Sequence, residues 1–322
     1  MNYPISDHYD GKKFFNQNRQ CRAEKDFFDL LKWKWSGHQR RWPDHVNGRI
    51  QAQLAGSLAP NQAVVTFINH ATALIQVAGF NILTDPVFSM RVSPLSWAGP
   101  KRVQEPGLQI SELPKIDFIL LSHNHYDHLD ICAIKEIYRK FNPHLICPLG
   151  NKEFFIKRKI ENVSEFDWWQ KFQVNQNLSI SLTPAQHWSS RSPFDRNLSL
   201  WCGFVVESFD LKIFFSGDTG YYTHFKQTYE KFGAMDISLL PIGSYDPRWF
   251  MKDQHVDPKE SVLAHMDLHS KLSIGIHFGT FQLTDEGVDE PVKDLKSALD
   301  ELKIPQANFR APKNGESFHY QK

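Results

Sequence analysis

The chain is poor in cysteine. Its 322 residues contain four, Cys21, Cys132, Cys147 and Cys202, and no two are spaced as a Cys-x-x-Cys pair. A thiolate metal site and a disulfide framework are thereby disfavoured, and a reducing compartment is the expectation. Long apolar runs are also missing: none approaches the roughly 20 residues that a bilayer-spanning helix requires. The first fifteen residues carry Asp7, His8, Asp10, Lys12 and Lys13 with no apolar stretch among them, so no secretory signal is expected there. A formal net charge of +1 removes any global electrostatic argument for nucleic acid. What remains is a globular composition, 41% hydrophobic, in a chain long enough for one large layered domain with an appended segment. The expected location is cytoplasmic, either free or peripheral on the inner face of a membrane.

Against this plain background one stretch stands out. Ser122-His123-Asn124-His125-Tyr126-Asp127-His128-Leu129-Asp130 follows the apolar run Phe118-Ile119-Leu120-Leu121 and holds three histidines and two aspartates in nine positions. Histidine and aspartate fill cores poorly, and so many ionisable groups at a strand end repel one another or need partners. A metal ion is such a partner, because imidazole nitrogen and carboxylate oxygen suit zinc and similar divalent ions. In an extended segment His123 and His125 point the same way. Asp127 and His128 break that alternation, as a turn leading to a second metal position would.

Residues 1–60 read as an N-terminal aromatic and basic extension, ahead of a main domain over 61–322. Phe27, Leu31 and Trp35 recur every four residues, which predicts a helix over about 23–35. Such a helix could pack on the main domain with its lysines solvated, or it could face a membrane, with aromatic rings at the interface and lysine and arginine on anionic headgroups. Residues 56–61 read as a linker. From residue 63 short β-branched runs dominate, over 63–68, 73–77 and 80–83, the third ending in Thr84-Asp85-Pro86. Residues 86–114, rich in proline, serine and glycine, predict a long surface loop. A helix capped by Asp130 is expected over 131–141, a strand over 145–148 and a helix over 151–159. Further strands are expected over 178–182, 200–206, 211–215, 237–241 and 273–276, a loop over 243–258, and helices over 258–270, with proline at its start, and around 292–302.

A pattern repeats along this sequence: a short apolar strand ends and a metal-type side chain follows. His123 and His125, His187, Asp218 and His277 all sit this way. Side chains at the ends of adjacent strands converge on one sheet edge. Strand-rich halves with outer helices therefore predict an α/β fold, a four-layer αββα sandwich with its site along one edge.

The series His123-x-His125-x-Asp127-His128, His187, Asp218 and His277 resembles the metallo-β-lactamase superfamily. Longer strings are similar to one branch of it, the N-acylphosphatidylethanolamine-hydrolysing phospholipase D type. These are Trp97-Ala98-Gly99-Pro100-Lys101-Arg102, residues 122–130, Pro184-Ala185-Gln186-His187-Trp188, Gly217-Asp218-Thr219-Gly220-Tyr221, Pro241-Ile242-Gly243-Ser244-Tyr245-Asp246-Pro247-Arg248-Trp249-Phe250-Met251 and Gln254-His255-Val256-Asp257-Pro258. The resemblance implies two zinc ions, with iron or manganese as alternatives. His123, His125 and His187 would hold one ion, Asp127, His128 and His277 the other, and Asp218 would bridge them. Asp85 resembles a strand-end aspartate that accepts the N–H of a ligand imidazole. The implied reaction is hydrolysis of a phosphodiester, releasing phosphatidic acid and an N-acylethanolamine. Asp127 and Asp218 are the candidate catalytic carboxylates. Tyr126 and His255 are candidates for orienting the phosphate or protonating the leaving group, or are structural. Arg248 and Gln254, with His255, are the candidate substrate-binding residues, although a loop arginine could simply be solvated.

His70 reads as a turn residue or a hydrogen-bond partner of a ligand. His265 and His269, four apart, read as a surface helix face. The expected partners are a phospholipid or other phosphodiester, a peripheral membrane contact and a second copy in a homodimer, with no nucleic acid. The alternative reaction is dizinc hydrolysis of a lactone or soluble phosphodiester, and a third reading is a non-catalytic regulatory protein on the same fold.

Overall fold

A computed structural model describes residues 3–18 and 27–322. After helix α1 (Phe27–Ser36), strands β1 (Gln62–Asn69), β2 (Thr72–Val77), β3 (Phe80–Thr84), β4 (Phe118–Leu120), β5 (His144–Pro148) and β6 (Val163–Phe166) build the first sheet, with α2 (Ile131–Phe141) and α3 (Lys152–Ile156) between its later strands. The second sheet comprises β7 (Lys171–Asn175), β8 (Leu178–Thr183), β9 (Gly203–Ser208), β10 (Leu211–Phe215), β11 (Ile237–Pro241), β12 (Leu272–Ile276) and β13 (Phe309–Arg310). Helices α4 (His224–Phe232), α5 (Arg248–Met251), α6 (Pro258–Asp267) and α7 (Glu290–Glu301) interrupt it, and β14 (Ser317–Gln321) returns to the first sheet. The strand orders are β14-β1-β2-β3-β4-β5-β6 and β13-β12-β11-β10-β9-β8-β7.

The two sheets pack face to face because their strands alternate. In β10, Ile213 and Phe215 enter the layer between the sheets with Phe67, Leu182 and Phe204, whereas Phe214 joins Leu240, Val262 and Leu295 under the outer helices. In β5, Ile146 faces inward while Leu145 and Cys147 meet Ile134 and Ile137 of α2. Strands buried on both faces carry apolar residues at every position, so a period of two sorts them between two cores rather than between core and water. This is the expected αββα sandwich. Asp130 caps α2, its carboxylate accepting from the N–H groups of Cys132 and Ala133, and Asp257 with Glu260 forms a capping box at α6 with Pro258 at the first helical position.

Several local expectations differ from the structure. The expected helix over 23–35 is seen as α1 from Phe27, its beginning lying outside the described residues. Strands β6, β7, β13 and β14 had no distinct sequence pattern: β7 is half-exposed along its length, and β13 is two residues long. Residues 86–114 are irregular but not a surface loop, because Val87, Val103, Leu108, Ile110 and Leu113 are buried. His265 is buried rather than on a surface face, its Nδ1 2.8 Å from Ser273 Oγ. Helix α6 packs between β11 and α7, so two of its faces are covered; His269, beyond its end, is exposed.

The N-terminal segment lies on the sandwich. Tyr9 and Phe14 join the inter-sheet core, and Tyr3 Oη donates to Glu165 at 2.7 Å. The His8 ring stacks on Trp168 with centroids 4.3 Å apart, its Nε2 2.7 Å from Asp167 Oδ1 and its Nδ1 2.6 Å from Asp7 Oδ1. Burial works against a charged imidazole here, but the two carboxylates prevail and raise His8 above its usual 6.5. The protonated ring therefore helps hold the segment at pH below 6.5, and the help fades as pH rises through the higher value of the folded state. Limited proteolysis of residues 3–18 should accordingly be slowest below pH 6.5 and accelerate as pH rises above it. Asp167→Asn should flatten that profile.

Candidate metal centre

Six chain segments end at one edge of the sandwich. Asp85 follows β3, His123 to His128 follow β4, His187 follows β8, Asp218 follows β10, His255 follows α5 and His277 follows β12. Parallel pairing of β3 with β4, β10 with β11 and β11 with β12 puts several of these ends on the same side. Gly217, between β10 and Asp218, adopts φ +58°, and a Cβ there would lie 2.6 Å from that of Ser122. Glycine is needed there by both conformation and space.

The ring atoms meet in two sets. His123 Nε2 lies 2.9 Å from His125 Nδ1, and His187 Nε2 lies 3.2 Å from the same atom. His277 Nε2 is 3.2 Å from His128 Nε2 and 3.3 Å from Asp127 Oδ2. Asp218 Oδ2 stands between the sets, 3.0 Å from His277 Nε2, 3.1 Å from His128 Nε2, 3.9 Å from His187 Nε2 and 4.0 Å from His123 Nε2. Donors about 2.0–2.1 Å from a tetrahedral ion are separated by about 3.3 Å, so the donors within each set lie close enough together to hold a metal ion. The expected residues that could hold metal are thus brought together, all seven of them. Asp218 Oδ1 is buried with no hydrogen-bond partner, a lone pair that a cation would satisfy.

Electrostatics divides the same residues. Burial, then the neighbouring imidazoles, hold His123 and His125 well below the usual histidine range, and burial takes His187 down to about 4, so their nitrogens keep the lone pairs that ligation needs. For Asp127 and Asp218 burial opposes ionisation, but His128 and its neighbours outweigh it and keep both well below the usual carboxylate range. Burial likewise opposes charge on His277, and Asp218 and Asp127 reverse it, to about 9.

Hydrogen bonds behind the donors fix their orientation. Asp85 Oδ2 lies 2.6 Å from His128 Nδ1 and accepts from Ser122 Oγ at 2.5 Å, while its Oδ1 accepts from Ser122 N at 2.7 Å. His187 Nδ1 donates to the Gln254 carbonyl at 2.9 Å. His70, in the β1–β2 turn at φ +46°, places Nε2 3.1 Å from Asp127 Oδ2, and burial pushes it down to about 3. Asn16 clasps His187 from both sides, donating to its carbonyl at 2.9 Å and accepting from its N–H at 3.0 Å.

The remaining candidates fall in different places. His255 is partly buried, its Nδ1 enclosed 3.9 Å from Asp218 Oδ2, and it lines a cleft of about 390 Å³ together with Gln254, Trp188, Phe250 and Met251. Leu30 and Trp33 of α1 form another part of the wall, Trp33 donating its indole N–H to Asp285 at 2.8 Å. Arg248 does not line this cleft. Its guanidinium is committed to Glu260 at 2.7 Å, Asp257 at 3.4 Å and the His255 carbonyl at 2.8 Å, so it holds the His255 loop instead of facing a headgroup. Tyr126 donates its hydroxyl to the Arg191 carbonyl at 3.0 Å and lies beside the ligands rather than over them. Arg191 had no motif to mark it. Its Nη1 donates to the carbonyls of Asn124 at 2.8 Å and Leu129 at 3.0 Å, and its guanidinium lies 3.9 Å from the Tyr126 ring centre, so it shapes the loop that carries four of the donors.

Asp85→Asn leaves the volume but offers His128 an amide that can donate as well as accept. It should weaken metal affinity by roughly 10–100-fold, measured by competition with a chelator, with little change in the circular dichroism of the fold.

Comparison with known proteins agrees with this geometry. Residues 80–278 match the family model described as beta-lactamase superfamily domain. The chain is 39% identical over 247 residues to N-acyl-phosphatidylethanolamine-hydrolyzing phospholipase D 1 of Caenorhabditis elegans, covering 73% of this chain and 69% of the relative. It is 42% identical over 224 residues to the mitochondrial N-acyl-phosphatidylethanolamine-hydrolyzing phospholipase D of Saccharomyces cerevisiae, covering 68% of this chain and 48% of that protein. Among solved structures, an isothiocyanate hydrolase from Delia radicum gut bacteria superposes with a TM-score of 0.64 at 19% identity, over 80% of this chain and 100% of the other.

Proposed function

The chain belongs to the metallo-β-lactamase superfamily, in its N-acylphosphatidylethanolamine-hydrolysing branch, and from that premise we propose that this metal-dependent hydrolase cleaves the phosphodiester of N-acylphosphatidylethanolamine at a dizinc centre. The products are phosphatidic acid and an N-acylethanolamine. His123, His125 and His187 would hold one ion and Asp127, His128 and His277 the second, with Asp218 shared. Zinc, or iron or manganese in its place, supplies a water nucleophile at neutral pH and neutralises charge on the nonbridging phosphate oxygens.

The observation that carries the substrate assignment is the cleft. Its lining includes the candidate metal-site residues Asp127 and Asp218 with His255, and also Leu30, Trp33, Phe250, Met251 and Leu283, so both a charged headgroup and an apolar chain find matching surface in it. Burial, the chief influence on His255, holds it well below the usual histidine range, and its Nδ1 has no protein partner. A neutral imidazole in that position can donate to a phosphate oxygen and orient it. Gln254 keeps the loop beside it in place through its carbonyl bond to His187.

Helix α1 supports a peripheral lipid contact. Trp35 is 93% exposed and Phe28 77%, with Leu31 and the nearby Trp249 partly exposed, while Leu30 and Trp33 of the same helix line the cleft. Lys32 lies 4.9 Å from the Trp249 ring centre, which places positive charge beside the apolar face as an anionic surface requires. Trp35→Ser combined with Phe28→Ser should reduce sedimentation with anionic vesicles by about tenfold while sparing turnover of a detergent-dispersed substrate. Equal sedimentation of the variant would assign that face to another contact, such as a second copy of the chain.

The deciding assay incubates the purified protein with N-acylphosphatidylethanolamine vesicles and follows phosphatidic acid. Expected are release of that product, about two metal equivalents per chain, and loss of turnover by roughly three orders of magnitude in Asp218→Ala or His125→Ala. Turnover of a lactone or a soluble phosphodiester without release of phosphatidic acid would overturn the substrate assignment, and full activity after chelation would overturn the metal scheme.

A further inference from the structure

Against Tyr126 lies a second cavity of about 630 Å³, bounded by the 89–96 loop, the start of α2 and the end of α3. Three arginines line it: Arg91, Arg158 and Arg191. Arg158 and Arg191 face the same Phe154 ring, their guanidinium carbons 3.6 Å and 5.4 Å from its centre. Like charges this close repel: burial is the chief cause that lowers Arg191 from its usual value, and Arg158 adds to it against the opposing pull of Tyr126 and the nearby aspartates. Among the described residues neither guanidinium has a carboxylate partner; each is bonded only to carbonyl oxygens, Arg158 to Phe154 and Arg191 to the metal-loop backbone. Asp130, the one acidic residue on the cavity wall, and Asp195 act on Arg191 only through space, without an ion pair. The two Asp130 oxygens already accept four backbone N–H groups, from Cys132, Ala133, Phe88 and Ser89.

We infer that this cavity binds a phosphate monoester. Paired guanidinium groups with unused N–H donors match the three oxygens and double charge of a monoester better than the single charge of a diester. The surroundings favour a monoester carried by a lipid. Met90 on the cavity wall and Leu95 in the loop that bounds it are exposed, and large apolar side chains around a cationic pocket suit an acyl-bearing ligand. A shallow groove lined by His125, Asp127, Tyr126, Trp188 and Arg191 joins this cavity to the metal centre. The proposed reaction releases a phosphate monoester, so the cavity would receive the product headgroup as it leaves. That origin of the ligand rests on the proposed function; the binding site itself does not.

Arg158→Gln tests the site, because Arg158 touches none of the metal-binding residues. The intact metal-loaded protein is titrated with glycerol 3-phosphate, and with vesicles of phosphatidic acid against vesicles of phosphatidylglycerol at equal charge. The wild type should prefer the monoester in both forms. The variant should bind it roughly tenfold more weakly, with kcat/KM on a phosphodiester and the melting temperature unchanged and with affinity partly restored by Arg158→Lys. Phenylglyoxal labelling mapped by mass spectrometry should show Arg158 protected by glycerol 3-phosphate. Loss confined to the soluble ligand would support the site and make free phosphate its source; loss confined to vesicles would support a lipid source. Unchanged affinity and no protection of Arg158 would overturn the inference, since the monoester would then bind at the metals alone. Failure of phosphatidic acid release from N-acylphosphatidylethanolamine, with Arg158 still protected, would leave the site standing and remove only the proposed origin of its ligand.

Discussion

One carboxylate oxygen organises the catalytic edge. Asp218 Oδ2 has five imidazoles within 4.0 Å, those of His123, His128, His187, His255 and His277, arriving from the ends of β4, β8, β12 and α5. A buried carboxylate is tolerated only with compensating charge or hydrogen bonds, and its neighbours are in turn tolerated because it is ionised. The strands must therefore end in register at this edge. That requirement explains the features around Asp218 that cost stability locally: the left-handed Gly217, the left-handed His277 at φ +62°, and buried ring nitrogens without protein partners.

The donors are held from behind by a ring of anionic, neutral and cationic groups. Asp85 and Ser122 orient His128, the Gln254 carbonyl orients His187, and Arg191 gathers the carbonyls of the His123–His128 loop. Two parts of the chain distant in sequence close this ring. Asn16 reaches His187 from the N-terminal segment, and Trp33 and Trp42 bond to Asp285 and the Glu286 carbonyl. The N-terminal region is thus part of the wall of the site and not an ornament on the sandwich.

Two environments open from the edge with opposite character. The cleft beyond His255 is apolar and suits chains; the cavity beyond Tyr126 is cationic and suits a phosphate. Tyr126 and Arg191, ring under guanidinium, line both the cationic cavity and the groove that leads from it to the metal centre. A substrate that is half lipid and half phosphate could use both, the first on entry and the second on leaving.

The histidines and aspartates of residues 122–130, with His187, Asp218 and His277 each after an apolar run, were legible in the chain because donor type and strand-end position are local properties. So was the αββα architecture, since the alternation of short apolar runs with amphipathic helices is local too. Tertiary structure alone decided which side chains serve the donors and which do not. Arg248 looked like a headgroup ligand or a solvated loop residue and is taken by Glu260 and Asp257, Arg191 and Asn16 carried no signal in the sequence and hold the site, and His265 looked exposed and is buried against Ser273 of β12. Strands β6, β7, β13 and β14 were hidden for the same reason: each is defined by its neighbour in a sheet and not by a pattern of its own. Periodicity and ligand chemistry are written along the chain, whereas the partner of an arginine or the cover over a histidine is set by residues up to hundreds of positions away, which only the packed sheets bring into contact.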